Sequence, residues 1–222
     1  MPSISDRLNS EGYVEISNSD PAVSTEQFAR RICDTIGGVV FEAAENLVAS
    51  HKGSKPLNTY GGNYGYGQLP LHTDLAHWYR PPRYLILRCI LGTPSVTTHI
   101  FSRRQLEGWI PASLMKRALF SPRRRLDGKL FLLRMIEDEL LRWDQLFLKP
   151  QNMAARKVMD RMQEITSDLP MTTVTLAKAG QTLLIDNWTV LHGRSAIPLT
   201  ETERKLERIY LETFPNGNQN PT

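Results

Sequence analysis

Five short runs of aliphatic, aromatic or alternating character, at 83–90, 129–135, 172–176, 182–185 and 205–214, constrain the fold of this 222-residue chain more than any other feature. Runs of this length rich in Ile, Leu, Val, Thr, Phe and Tyr read as β-strands. Glycine and proline separate them, as in Gly92-Thr93-Pro94 and Ala179-Gly180, which is the chemistry of turns. Only two stretches have a clear helical period. Ser24-Thr25-Glu26-Gln27 is a capping box, followed by Phe28, Ile32, Cys33 and Ile36 at helical spacing and a stop at Gly37-Gly38. A second helix is expected over 154–166, with Val158, Met162 and Ile165 on one side and Pro170 closing it. Many short strands with few helices predict a mainly-β protein with flanking helices (α+β), a double-sheet jelly roll. The helices are expected to buttress one sheet from outside.

With 41% hydrophobic and 23% charged residues, the chain can build a real core. Neither a repeat nor a low-complexity linker interrupts it, so residues 1–215 are expected to form one domain, with 216–222 a flexible polar tail. The N-terminus has no basic start leading into an apolar stretch, and the most apolar run is broken by Arg88. That predicts no membrane partner and a cytoplasmic location. Cys33 and Cys89 are read as small core residues, since two cysteines make no disulfide framework.

The net charge of +4 raises the question of a nucleic-acid partner. Its candidate surface is Arg123-Arg124-Arg125 with Arg103 and Arg104. A recognition surface needs basic residues interleaved with exposed aromatics. The run is read instead as a solvated turn, and no nucleic acid is expected. Nothing in the sequence sets the oligomeric state.

The chemistry concentrates in two motifs, His72-Thr73-Asp74 and His192-Gly193-Arg194, with His192 118 residues after Asp74. On extended backbone, residues two apart point the same way, so His72 and Asp74 can meet one ion. Two imidazoles and a carboxylate on one face of Fe(II) leave positions open for small ligands. Upstream, the glycine- and tyrosine-rich stretch 60–67 reads as a loop at a cavity mouth.

The blocks Leu69-Pro70-Leu71-His72-Thr73-Asp74, Arg80-Pro81-Pro82-Arg83-Tyr84-Leu85 and Ile185-Asp186-Asn187-Trp188-Thr189-Val190-Leu191-His192-Gly193-Arg194 resemble the 2-oxoglutarate-dependent dioxygenases of the taurine dioxygenase, γ-butyrobetaine hydroxylase and clavaminate synthase group. The resemblance runs from about residue 57 to 214. It implies a double-stranded β-helix (cupin-like jelly roll) in which His72, Asp74 and His192 bind Fe(II) and form the catalytic centre. It also implies 2-oxoglutarate as cosubstrate and O2 as oxidant. The implied products are succinate, CO2 and an oxidised, by default hydroxylated, small molecule. The retained carboxylate of Asp74 fits hydroxylation better than halogenation.

In this family an arginine beyond the distal histidine pairs with the far carboxylate of 2-oxoglutarate. Arg204, twelve residues after His192, fits best, while Arg208 shares its face on a strand and is the alternative or its support. A guanidinium suits the task because it offers a carboxylate two parallel charge-assisted bonds. Arg194 is assigned a supporting or structural role. The resemblance places a threonine on the cosubstrate as well. Thr98 fits, with Thr97 as a one-residue slip, although Ser95-Val96-Thr97-Thr98 replaces the family's glycine pair, acidic residue and threonine.

Residues 57–68 and 121–150 are the expected substrate side, with Arg134 and Arg142 as candidates to meet a carboxylate of an amino acid or other acid. His51, His77 and His99 are read as surplus to the metal site, and Trp78 and Tyr79 as either core or substrate wall. Two other functions use the same ligands: a jelly-roll protein binding metal or a small molecule without turnover, and a zinc-type hydrolase. Neither needs an arginine at 204.

Overall fold

The structure, a computed structural model, describes residues 2–57, 59–124, 131–166 and 168–213. It opens with α1 (Ile4–Glu11), β1 (Tyr13–Ile16), α2 (Thr25–Ile36), β2 (Gly38–Val40), β3 (Glu45–Val48) and α3 (Tyr60–Tyr64). Then come β4 (Leu69–His72), β5 (Tyr84–Leu91), β6 (Thr97–Ser102), α4 (Arg103–Glu107), α5 (Ala112–Arg117) and β7 (Leu119–Pro122). Short strands β8 (Leu133–Arg134), β9 (Ile136–Glu137), β10 (Leu140–Leu141) and β11 (Leu148–Pro150) lead to α6 (Met153–Ile165). The last four strands are β12 (Thr172–Thr175), β13 (Thr182–Asp186), β14 (Val190–Arg194) and β15 (Lys205–Thr213).

Two antiparallel sheets carry the architecture. The larger runs β1-β13-β5-β15-β2, with β3 also paired to β15, and the smaller runs β12-β6-β14-β4. Alternation sorts the side chains of β5: Leu85, Leu87 and Cys89 join a core with Ile100 of β6, Val174 of β12 and Val190 of β14, whereas Tyr84 and Ile86 turn to the helices. That first cluster is therefore the layer between the two sheets. On the far side of the larger sheet, α1 and α2 bury Leu8, Phe28, Ala29 and Ile32. On the far side of the smaller one, Phe101 and Leu191 pack with Met115 of α5 and with Val158, Met162 and Ile165 of α6. Helices thus cover both sheets, not one, because both outward faces are apolar. Each buried large side chain contributes about 1.5–3 kcal/mol.

Capping explains where the helices begin. Ser24 accepts from Gln27 N and Gln27 returns the bond, with Gly37 in the left-handed conformation closing α2. Asn152 caps α6 one residue earlier than expected. The same logic builds α1, for which Ser3 and Asp6 form a full capping box. Gly12, at φ +79, then turns the chain against β14, where a Cβ would stand 2.4 Å from Val190 Cγ1.

The expected strand at 129–135 reduces to Leu133–Arg134, since Met135 spends its backbone bonds on Ala118 and Arg142 instead. Residues 129 and 130, Arg125 and the tail at 216–222 lie outside the described residues. Arg123 and Arg124 are exposed, and Arg103 pairs with Glu107. Cys33 and Cys89 are buried free thiols. No helix among the described residues is long and apolar enough to cross a membrane.

Candidate metal centre

His72 closes β4 and stands opposite His192 of β14 in register, with ring centroids 4.5 Å apart. His192 is two residues from Val190 and so shares its face, the one turned to the space between the sheets. Asp74 reaches the same point by a fixed route. Thr73 donates its N–H to Trp143 O at 2.8 Å and its hydroxyl to Leu141 O at 2.9 Å. Leu75 then takes the left-handed conformation at φ +56, which costs a non-glycine residue about 1 kcal/mol or more.

Convergence is tight. Asp74 Oδ1 lies 3.1 Å from His72 Nε2 and 3.8 Å from His192 Nε2, and the three ligand atoms fall within 4.8 Å of one another. His72, Asp74 and His192 are all buried. His72 Nδ1 donates to Pro70 O at 2.9 Å, which turns Nε2 towards the ion site as an outer hydrogen bond does for a metal-bound histidine.

Electrostatics suits Asp74 and His192 to a cation, whereas at His72 burial favours the neutral ring but Asp74 outweighs it and raises the imidazole. Burial alone pushes the Asp74 carboxyl up, but Arg208, His72 and His192 outweigh it and hold the group well below its ordinary value. The His192 imidazole is pushed down to about 3 by burial, with His72 adding to the shift. It is therefore neutral and able to coordinate at pH 7. A charged carboxylate and a neutral imidazole are what a divalent ion requires. For Fe(II) the residues fit: two nitrogens and one oxygen converge from one side, and a cavity lies on the other.

That cavity, of about 400 Å³, is lined by His72, Asp74, His192, Thr98, Arg194, Arg204 and Arg208 among others. Arg204 is 7% exposed, and its Nε is buried without a partner. Among the described residues no carboxylate pairs with it. Arg194 stands close enough that Arg204 and burial together push its pKa down to about 10. A desolvated guanidinium with no anion beside it, as at Arg204, suits an anionic ligand. Arg208 is differently placed: it donates to Asp74 Oδ2 at 2.9 Å and to Glu45 Oε2 at 2.6 Å.

Thr98 is buried and lines the cavity, whereas the Thr97 hydroxyl pairs with the His99 ring. Thr98, directly across from Arg194 in register, is thus the one of the two that lines the cavity. Arg194 bonds Ser195 O and Gly65 O, both at 3.0 Å, and Gly67 O. Its role is structural, holding the 60–67 loop over the cavity. Gly193 permits the close approach of β4, since a Cβ there would meet Leu69 O at 2.7 Å.

The two segments expected on the substrate side differ in how far they reach the cavity. From 57–68, Thr59, Tyr60, Gly61 and Gly65 line the cavity, but from 121–150 only Phe147 does among the described residues. The Tyr60 ring sits 4.3 Å from His72 and its hydroxyl donates to Asp144. His77 joins this wall, 5.3 Å from Phe147, and stands outside the cluster of metal-binding donors.

Arg134 and Arg142 are corrected. Arg134 is exposed and lies off the cavity. Arg142 is fully buried and donates to Ala76 O at 2.6 Å, Tyr79 O at 2.9 Å and Trp78 O, bracing the loop after Asp74. Its guanidinium is taken up by these carbonyls and by Glu137, 3.9 Å away. Trp78 and Tyr79 lie outside the cavity lining, and His51 packs edge-on to Tyr66.

Two residues with no assigned role at the sequence level also shape the centre. Tyr210 donates its hydroxyl to Asp74 Oδ2 at 3.0 Å. Asn187 accepts from Asp74 N at 2.8 Å. The placement of Tyr210, two residues past Arg208 on one strand face, was the available signal for the first. The turn-favouring Asp-Asn pair before β14 was the signal for the second.

The sequence matches no family model and no curated protein. Solved structures do resemble the fold. An asparagine oxygenase in complex with Fe(II), 3-hydroxyasparagine and succinate superposes with a TM-score of 0.71 at 15% identity, covering 92% of this chain and 76% of that one. The non-haem iron oxygenase OrfP with Fe and α-ketoglutaric acid gives 0.66 at 19% identity, covering 93% and 77%. PvcB from Pseudomonas aeruginosa gives 0.65 at 15% identity, covering 92% and 77%. At such identities the likeness establishes a shared fold.

Proposed function

We propose that this protein is an Fe(II)- and 2-oxoglutarate-dependent oxygenase built as a single double-stranded β-helix domain over residues 1–215. One observation carries the reading: a His72–Asp74–His192 donor set and the unpaired, buried Arg204 share one cavity. A metal-binding scaffold or a hydrolase needs the first but has no use for the second. The shared fold with oxygenases whose structures hold Fe and α-ketoglutaric acid or succinate supports it.

His72, Asp74 and His192 would hold the iron, and Arg204 with Thr98 the far carboxylate of 2-oxoglutarate. Bound iron and cosubstrate supply O2 activation and the oxidising power to attack a C–H bond, releasing succinate and CO2. The chain's own contribution is positional. Arg204 offers two parallel donors and fixes the cosubstrate's direction. Burial of the three ligands and the 60–67 loop held by Arg194 keep bulk water from the reacting centre.

For the substrate we infer a small amino acid. The Arg208–Glu45 pair at the cavity presents a cation and a carboxylate side by side. A zwitterion exchanges that pair for two new ones, its carboxylate on Arg208 and its ammonium on Glu45. The oxygenases of like fold hold hydroxyasparagine and hydroxy-L-arginine. Buried free thiols at Cys33 and Cys89 fit the reducing cytoplasm.

The test is succinate release from 2-oxoglutarate across a panel of amino acids, their decarboxylated amines and their deaminated acids. Stimulation by amino acids and by neither partial analogue is expected, with Glu45→Gln lowering it. Stimulation by none of the three classes contradicts the reading.

A further inference from the structure

We infer that Asn187 is a positioning residue that sets both halves of the metal centre from one turn, an inference that rests on the metal site proposed above. Asn187 is fully buried. Its side-chain carbonyl accepts from Asp74 N at 2.8 Å, and its amide donates to Asp74 O and to Pro82 O, each at 3.0 Å. The first two bonds grip both backbone polar groups of a metal ligand, as a neighbouring strand would, and so fix its φ and ψ together. No strand neighbour does this at Asp74, because β4 ends at His72.

The grip meets a local strain. Leu75 follows at φ +56, a conformation that persists only when surrounding bonds over-determine it. Asp74 C=O belongs to the peptide that enters Leu75, and Asn187 holds that carbonyl. Without it, relaxing Leu75 would rotate Asp74 away from the histidines.

The same residue lies in the turn that joins β13 to β14. Thr189 N closes that turn on Asp186 O at 3.1 Å, and β14 then delivers His192 five residues past Asn187. The Asn187 N–H adds a bond to Arg83 O at 2.7 Å, at the entry of β5. One side chain thus ties the Asp74 backbone to the turn that delivers His192. Trp188, its neighbour, makes an equally specific bond from Nε1 to Pro81 O at 2.9 Å, yet touches no metal ligand. It serves as the control for damage to the turn alone.

Co(II) binding to the metal-free protein, followed by calorimetry under nitrogen, gives the first readout. Asn187→Ala should weaken Co(II) 10- to 100-fold, the range for losing an outer support of a metal ligand. Trp188→Phe should stay within about twofold of wild type on the same scale. Equal weakening in both, or none in Asn187→Ala, overturns the inference. Hydrogen exchange over residues 73–78 of the metal-free proteins is the second readout. Faster exchange there in Asn187→Ala than in Trp188→Phe is expected, and unchanged exchange overturns the inference. If wild type takes up no Co(II), the metal reading fails, while the exchange result still decides what Asn187 does.

Discussion

Arg208 Nη1 lies 2.9 Å from Asp74 Oδ2, and this contact divides the carboxylate into two working halves. Oδ2 takes Arg208 and the Tyr210 hydroxyl, while Oδ1 faces the two histidines. Only Oδ1 remains for a metal, so the site offers one oxygen and leaves more of the ion's sphere open.

Removing Arg208 should separate stability from metal affinity. Losing one partner of a buried ion pair costs about 3–5 kcal/mol, so Arg208→Met should lower the metal-free melting temperature by many degrees. A dication repays that loss by replacing the missing charge beside Asp74. The Co(II)-induced rise in Tm should then be larger in the variant than in wild type. Thermal melts with and without Co(II) check this, and an equal or smaller rise in the variant counts against it.

Arg204 should govern the cosubstrate and not the metal. Arg204→Ala removes a desolvated bidentate donor, for which two charge-assisted bonds of about 1.5–3 kcal/mol each imply a loss of at least about 100-fold in 2-oxoglutarate affinity. Metal affinity should hold, because Arg204 touches none of the ligands. Titration of 2-oxoglutarate into the Co(II)-loaded protein measures it. An unchanged affinity, with Arg208→Ala abolishing binding, would assign the anchor to Arg208.

Arg142 should prove to be a brace. Arg142→Met strands the carbonyls of Ala76, Trp78 and Tyr79, at about 1–3 kcal/mol for each that stays buried and unmet. Urea denaturation should show a loss of several kcal/mol. A stability equal to wild type, with only substrate binding weakened, would restore its reading as a substrate ligand.

Asp186 gives the fold a pH signature. Burial raises its carboxyl to about 6, with Arg83 opposing the shift. A folded pKa above the unfolded value of about 3.9 favours the protonated folded form, so this contribution is present at low pH and lost as pH rises through about 6. Between pH 4 and 7, wild type should lose stability relative to Asp186→Asn. Urea titrations of both proteins at several pH values check the sign, and a constant difference contradicts it.

Much of this was legible because local chemistry decided it. Ser24, Gln27 and Gly37 mark α2 within a few residues, and alternation over 204–210 puts Arg204 and Arg208 on the cavity. The box at Ser3 and Asp6 carried the same information for α1 but sits in a polar stretch with little apolar period. Strand β6, Thr97-Thr98-His99-Ile100-Phe101-Ser102, was masked by its polar residues, which become buried or half-buried only because β12 and β14 flank it. Arg142 could not be read at all. A charge looks like a surface or ligand residue until the carbonyls that surround it are known, and those belong to the loop after Asp74, more than sixty residues earlier in the chain.

The central claim is that His72, Asp74, His192 and Arg204 form one iron and 2-oxoglutarate site. Absorption of the protein with Fe(II) and 2-oxoglutarate under nitrogen tests it most directly, since the chelate gives a weak visible charge-transfer band in proteins of the family resembled. The account predicts the band in wild type and its loss in Asp74→Ala and in His192→Ala. No band in wild type, or an undiminished band in those variants, would contradict it.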